Sequence, residues 1–179
     1  FITNNKILLI ISKTQYTHQG WFTDDQKYFI VGDEYDEYKK EVINTRSIIF
    51  DFTDLDNPVL HYEFENTTDA IDHNGYVHKN KFYLASYTAG LRVMDISNID
   101  KKSIIEIGFF DTYNEKEDTG IVISLDSNRT SHSQDEDHDN PKKGNAAEFN
   151  GAWSVYPYFK SKNIIISDIN SGLFIVKKQ

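Results

Sequence analysis

The chain contains no cysteine, only three prolines and a single methionine. Without cysteine there are no disulfide staples, zinc–thiolate sites, iron–sulfur clusters or cysteine nucleophiles. Long apolar runs are also missing. The run Ile7-Leu8-Leu9-Ile10-Ile11 is five residues, far short of the roughly 20 needed to cross a bilayer. It has neither the basic flank nor the small-residue cleavage site of a signal peptide, so no transmembrane segment is expected. Positive charge is scarce as well. Nineteen Lys and Arg face 28 Asp and Glu, a net charge of −9. Phosphate backbones are held by clustered Lys and Arg, so this balance excludes nucleic-acid binding by bulk charge and disfavours anionic membranes. No Gly-x-Ser-x-Gly, phosphate-cradling glycine loop or His-Glu-x-x-His is present, which weakens the case for an enzyme. Helical periodicity of 3.6 residues is absent beyond a turn or two.

What is there reads as strands. Short β-branched and aromatic runs, such as Lys27–Val31, Ser47–Phe50, Lys81–Ala85 and Asn163–Ile166, alternate with Asp, Asn, Gly and Ser clusters. Turns are expected at Asp24-Asp25, Asp54–Pro58, Lys79-Asn80 and Asn170-Ser171-Gly172. The stretch 114–148 differs, being polar, charged and nearly free of aromatics. It reads as a long acidic surface insertion.

The strands repeat. Tyr16-Thr17-His18-Gln19-Gly20-Trp21 aligns with Ile71-Asp72-His73-Asn74-Gly75-Tyr76, with the two histidines 55 residues apart. A third copy, Phe149-Asn150-Gly151-Ala152-Trp153, sets Phe149 where His stood. Later strands align too: Gly90-Leu91-Arg92-Val93-Met94 matches Gly172-Leu173-Phe174-Ile175-Val176. Four short strands repeating at about 45–55 residues form the pattern of a β-propeller blade. One such sheet cannot bury both faces, whereas radial stacking lets each cover its neighbours. The expected fold is therefore all-β, a partial β-propeller of about three four-stranded blades. Residues 1–15 would give an outer strand of a preceding or closing blade. Blades would occupy 16–70 and 71–113, with the insertion at 114–148. A final blade at 149–179 would lack its fourth strand. Three blades are too few for a ring of about 4–8, and residue 1 is Phe. Missing upstream blades or a partner chain are expected.

Several of these motifs carry a resemblance: Tyr16–Trp21, Asp51–Pro58, Ile71–Asn74, Ala89–Ser97, Gly108–Tyr113 and Phe149–Tyr158. Together they resemble the C-terminal half of the LVIVD-repeat proteins known as the choice-of-anchor B family. The likeness covers nearly the whole chain outside the acidic insertion. It implies a propeller exported to the bacterial surface, with no established biochemical role. The chain departs from the family in its long insertion and in having no visible anchor.

Candidate sites follow from the repeat. The first strand of a propeller blade lines the central channel. His18 and His73 would converge at its mouth, with Asp72, Asn74 and Asn150 beside them. Two imidazoles and a carboxylate, with Glu34 as the acidic ligand, would suit a divalent transition metal. The structural alternative is that His18 and His73 pin neighbouring blades through backbone carbonyls. The cluster Asp33-Glu34-Tyr35-Asp36-Glu37 reads more readily as surface charge than as a glycosidase pair. Asp135, Asp137 and Asp139 alternate as in a calcium loop, but the glycine and closing glutamate are misplaced. Asp51 and Asp95 read as turn acceptors, and Arg46 and Arg92 as ion-pair partners between blades. Trp21, Tyr76, Trp153, Tyr156 and Tyr158 read as packing, with Tyr156-Pro157-Tyr158 the most exposed. These readings point first to a non-enzymatic surface module binding a protein or glycan partner. A metal-dependent enzyme is the alternative. No cofactor is required by the first.

Overall fold

Alternation of side chains along each strand decides the architecture, because every second residue faces the same side. A computed structural model describes residues 14–113 and 148–177. Residues 1–13 of the expected outer strand and 114–147 of the acidic insertion lie outside the described residues. The fold is all-β, in three antiparallel sheets. The first holds β1 (Thr17–Phe22), β2 (Tyr28–Asp33), β3 (Arg46–Asp51) and β4 (Val59–Glu65), in that order. The second holds β5 (Gly75–Val77), β6 (Lys81–Ala85), β7 (Leu91–Asn98) and β8 (Ser103–Phe110). The third has three strands: β9 (Ala152–Tyr156), β10 (Asn163–Asp168) and β11 (Gly172–Lys177). A 3-10 turn, Ile99–Lys101, joins β7 to β8.

The sheets stack face to face through two apolar layers. Ile30 and Ile49 of the first sheet meet Val77, Phe82, Leu84, Met94 and Ile96 of the second. From the other face of the second sheet, Ala85 and Leu91 meet Ala152, Val155 and Ile166 of the third. Neighbouring residues thus serve opposite layers: Phe82 and Leu84 point one way, Tyr83 and Ala85 the other. In the first sheet, Val31, Ile48 and Phe50 form a third cluster on the face away from the second sheet. Burying one such Ile, Leu or Phe contributes about 1.5–3 kcal/mol, so these layers hold the sheets together.

The first strands lie side by side, β1 against β5 and β5 against β9. Polar links tie the same neighbours. The Lys79 amide donates to Asp24 Oδ2 at 2.7 Å. Tyr158 Oη donates to the Val77 carbonyl at 2.9 Å. The Ala152 amide donates to the Tyr87 carbonyl at 2.9 Å. Gly151 is needed there: its φ is +97°, and a Cβ would strike the Tyr87 carbonyl.

Candidate functional site

Strand register sets the site. In β1, Thr17 pairs with Asp33 and Gln19 with Gly32, leaving His18 as a bulged residue. In β9, Ala152 pairs with Asp168 and Ser154 with Ser167, leaving Trp153 bulged. Bulges re-aim a side chain and concentrate beside functional sites. His73 lies two residues before β5, its amide bonded to the Ala85 carbonyl at 2.9 Å. Gly20 pairs with Val31, Gly75 with Leu84 and Val155 with Ile166. His18, His73 and Trp153 each lie two residues before these pairs, so they are equivalent. The sequence alignment placed Phe149 in the third position, and the register replaces it with Trp153. Phe149 packs instead on Tyr38 and Tyr87.

The three equivalent rings stack. Centroids are 4.3 Å apart for His18 and His73 and 4.0 Å for His73 and Trp153. Each histidine also faces the carbonyl of the next equivalent residue: His18 Nδ1 lies 3.4 Å from the His73 oxygen, and His73 Nδ1 lies 2.5 Å from the Trp153 oxygen. Asn74 Nδ2 donates to the same Trp153 oxygen at 3.2 Å. His73 Nδ1 also lies 2.8 Å from Asn74 Nδ2. In the tautomer that places the proton on Nδ1 toward the carbonyl, the Nε2 lone pair is free to bind a cation.

Glu34 follows β2 and completes the group. Its Oε1 lies 3.7 Å from His73 Nε2 and accepts a hydrogen bond from Tyr87 Oη at 2.7 Å. Ligand atoms of His18, Glu34 and His73 all fall within 4.8 Å of one another. Burial holds His73 below the usual imidazole range, favouring the neutral form that metals bind. Tyr87 is 1% exposed, and its φ of +25° is rare for a bulky residue. The turn Ser86–Gly90 imposes that conformation, with Ala89 and Gly90 amides bonded to the Ser86 and Tyr87 carbonyls. A groove of about 350 Å³ opens beside His18, lined by Gly20, Phe29, Val31, Ile48 and Phe50 among others.

Behind this group the structure corrects the reading of Asp33–Glu37 as surface charge. Asp33, Glu34, Asp36 and Glu37 are all buried, and so is Asp72. Only Tyr35 in that run is exposed. Asp33 is satisfied by the segment entering β1, accepting from the Gln15 and Tyr16 amides at 2.6 Å each. Arg46 reaches Asp36 Oδ2 through Nε and a terminal nitrogen, both at 2.8 Å. Its backbone amide donates to Glu37 Oε1 at 2.9 Å. Burial pushes the carboxyls of Asp72, Glu37 and Asp36 up, and repulsion by neighbouring carboxylates adds to it for Asp72 and Glu37. A hydrogen bond between Asp36 and Glu37 lowers the first and raises the second, Arg46 also lowers Asp36, and Glu37 reaches about 10.

The sequence candidates therefore separate. His18, His73, Glu34 and Asn74 come together. The Asp72 side chain joins the carboxylate cluster. Asn150 lies just before β9, accepting from Asn170 Nδ2 of the β10–β11 turn at 3.2 Å. Arg46 and Arg92 pair with Glu63 and Glu106 of their own sheets, each at 3.3 Å, and not across sheets. Trp21, Trp153 and Tyr156 are exposed, and none is core. Tyr87 was not legible as a site residue; its only signal is the tight turn ending at Gly90. No family model, curated protein or solved structure matches the chain.

Proposed function

We propose that the chain is a propeller-type binding module that holds a divalent transition metal through His18 of β1, Glu34 after β2 and His73 before β5. One observation carries this: three ligand atoms of the types suited to zinc or nickel lie within 4.8 Å, on two different sheets. The approach of both Nδ1 atoms to backbone carbonyls supports it, since it orients the rings and the Nδ1-protonated tautomer frees Nε2. Radial stacking is supported by two shared apolar layers and by the adjacency of β1, β5 and β9. Three protein ligands leave a fourth position of a tetrahedral ion for a partner's side chain or for water. In the first case the ion recruits a protein or glycan at the groove beside His18. In the second it polarises water, and the module acts as a metal-dependent hydrolase. Placement at a bacterial surface is supported by the resemblance to LVIVD-repeat proteins alone.

Metal analysis after zinc loading and dialysis tests the reading. One zinc per chain is expected in the wild type, lost in His18→Ala and in His73→Ala. His18 is only partly buried, so its substitution leaves the sheets intact by circular dichroism. Wild-type protein that retains no zinc ends the proposal.

A further inference from the structure

The residue that holds Glu34 in place lies outside the ligand set. Tyr87 sits in the turn between β6 and β7 and is buried, as Glu34 is. Its Oη donates to Glu34 Oε1 at 2.7 Å. Its ring meets that of His73 at 67°, with centroids 5.3 Å apart. One side chain therefore touches two of the three proposed ligands, from a turn that supplies none. The backbone fixes that turn. Gly90 holds a φ of +71°, and a Cβ there would strike the Phe110 carbonyl. From the third sheet, Ala152 forms an antiparallel bridge to Tyr87. Phe149 and Trp153 pack nearly perpendicular to its ring, with centroids 5.5 and 6.1 Å away. A bulky residue persists at positive φ only where its surroundings over-determine it, and such residues cluster at binding sites.

A glutamate loses several side-chain torsions when it becomes a metal ligand, and that loss opposes binding. A donor on one carboxylate oxygen fixes the group before the ion arrives. The 3.7 Å approach of Glu34 Oε1 to His73 Nε2 is too long for a hydrogen bond. Among the described residues, the Tyr87 hydroxyl is thus the group that orients this carboxylate. Groups that hydrogen-bond a ligating carboxylate typically carry about ten- to hundredfold in metal affinity.

We propose that Tyr87 is a positioning residue for the metal site, acting through its hydrogen bond to Glu34. This rests on the zinc reading of His18, Glu34 and His73. It also makes the site depend on the third sheet, which grips the Tyr87 backbone and ring while contributing no ligand.

Tyr87→Phe keeps the ring and removes the hydroxyl. The zinc affinity of the full chain, measured by competition with a chromogenic chelator, is expected to fall about tenfold or more in this variant. Combined with Glu34→Ala, it is expected to bind zinc no more weakly than Glu34→Ala alone, because one residue acts through the other. The absorption spectrum of the cobalt-loaded protein reports the ligand set directly. It is expected to differ between wild type and Tyr87→Phe, which a loss of packing alone would not produce. Phe149→Ala loosens Tyr87 from the surface, since Phe149 is 37% exposed. A smaller loss of zinc affinity is expected there, vanishing when residue 87 is Phe. Unchanged affinity in Tyr87→Phe overturns the proposal and leaves the zinc reading standing, as do losses that add fully in the variant combined with Glu34→Ala. Should Tyr87→Phe not fold, unchanged affinity in Phe149→Ala overturns it instead. Wild type that binds no zinc overturns both.

Discussion

Asp51 and Asp95 occupy the same place in the first two sheets and make the same bond. Each accepts from the amide two residues on, Thr53 and Ser97, at 2.8 Å. Hydrogen bonds from Thr53 and Ser97, side chain first, hold both carboxyls below the usual aspartate range. The sign follows from linkage. A carboxyl depressed in the folded state lends stability above its unfolded value of 3.8, and that stability disappears as pH falls through the folded value. Asparagine at these positions keeps the acceptor oxygen and removes the titration. The double variant Asp51→Asn/Asp95→Asn should therefore lose less stability than wild type as the pH drops below about 4. Urea midpoints across that range are the measurement, and parallel curves would refute the assignment. These two residues were legible in the sequence because the bond is local. Asp36, Glu37 and Asp72 were not. An acidic run reads as solvated surface, and what buries it comes from Arg46 and from a segment some 35 residues further along the chain. Local sequence carries no record of such a neighbour.

Elements were legible where alternation was clean. The expected runs at Lys27–Val31, Ser47–Phe50, Lys81–Ala85 and Asn163–Ile166 fall within or beside β2, β3, β6 and β10. The period-2 pattern identifies a strand but not its register, and there the third repeat misled. Asn150-Gly151 imitates Asn74-Gly75 in sequence, while pairing sets Ser154-Val155 in that role. Gly151 is instead a turn residue with positive φ. Register also predicts which positions matter. Phe82 fills the layer between the first two sheets and is 1% exposed, whereas Leu173 of β11 is 61% exposed. Phe82→Ala should cost about 3–5 kcal/mol through lost burial and the cavity left. Leu173→Ala should stay within about 0.5 kcal/mol of wild type. Denaturant titration of both variants separates the two values. Equal losses would mean that β11 is covered in solution and that the layers are assigned to the wrong faces.

At the scale of the molecule, stability is shared between neighbours and not pooled in one core. The second sheet is covered on both faces, while the described residues of the first and third are each covered by one neighbouring sheet. In stacked repeats, the central unit opens only when both of its interfaces fail. Amide exchange should therefore be slowest in β6 and β7 and faster in β4 and β11. The proposed zinc ligands add a directional test to this gradient. His18 belongs to β1, Glu34 follows β2 and His73 precedes β5, so an ion on all three crosses one interface and misses the other. Binding stabilises only those openings that break the ligand set. Zinc should slow exchange in β1, β2 and β5 and leave β11 unchanged. His73 also contacts the third sheet, through its bond to the Trp153 carbonyl. Slowing should accordingly extend to β9 but fade before β11, on the far edge of that sheet. Uniform slowing across all three sheets would place zinc elsewhere or make the unfolding all-or-none. Slowing confined to β1 and β2 would remove His73 from the ligand set and leave it as the pin between the second and third sheets.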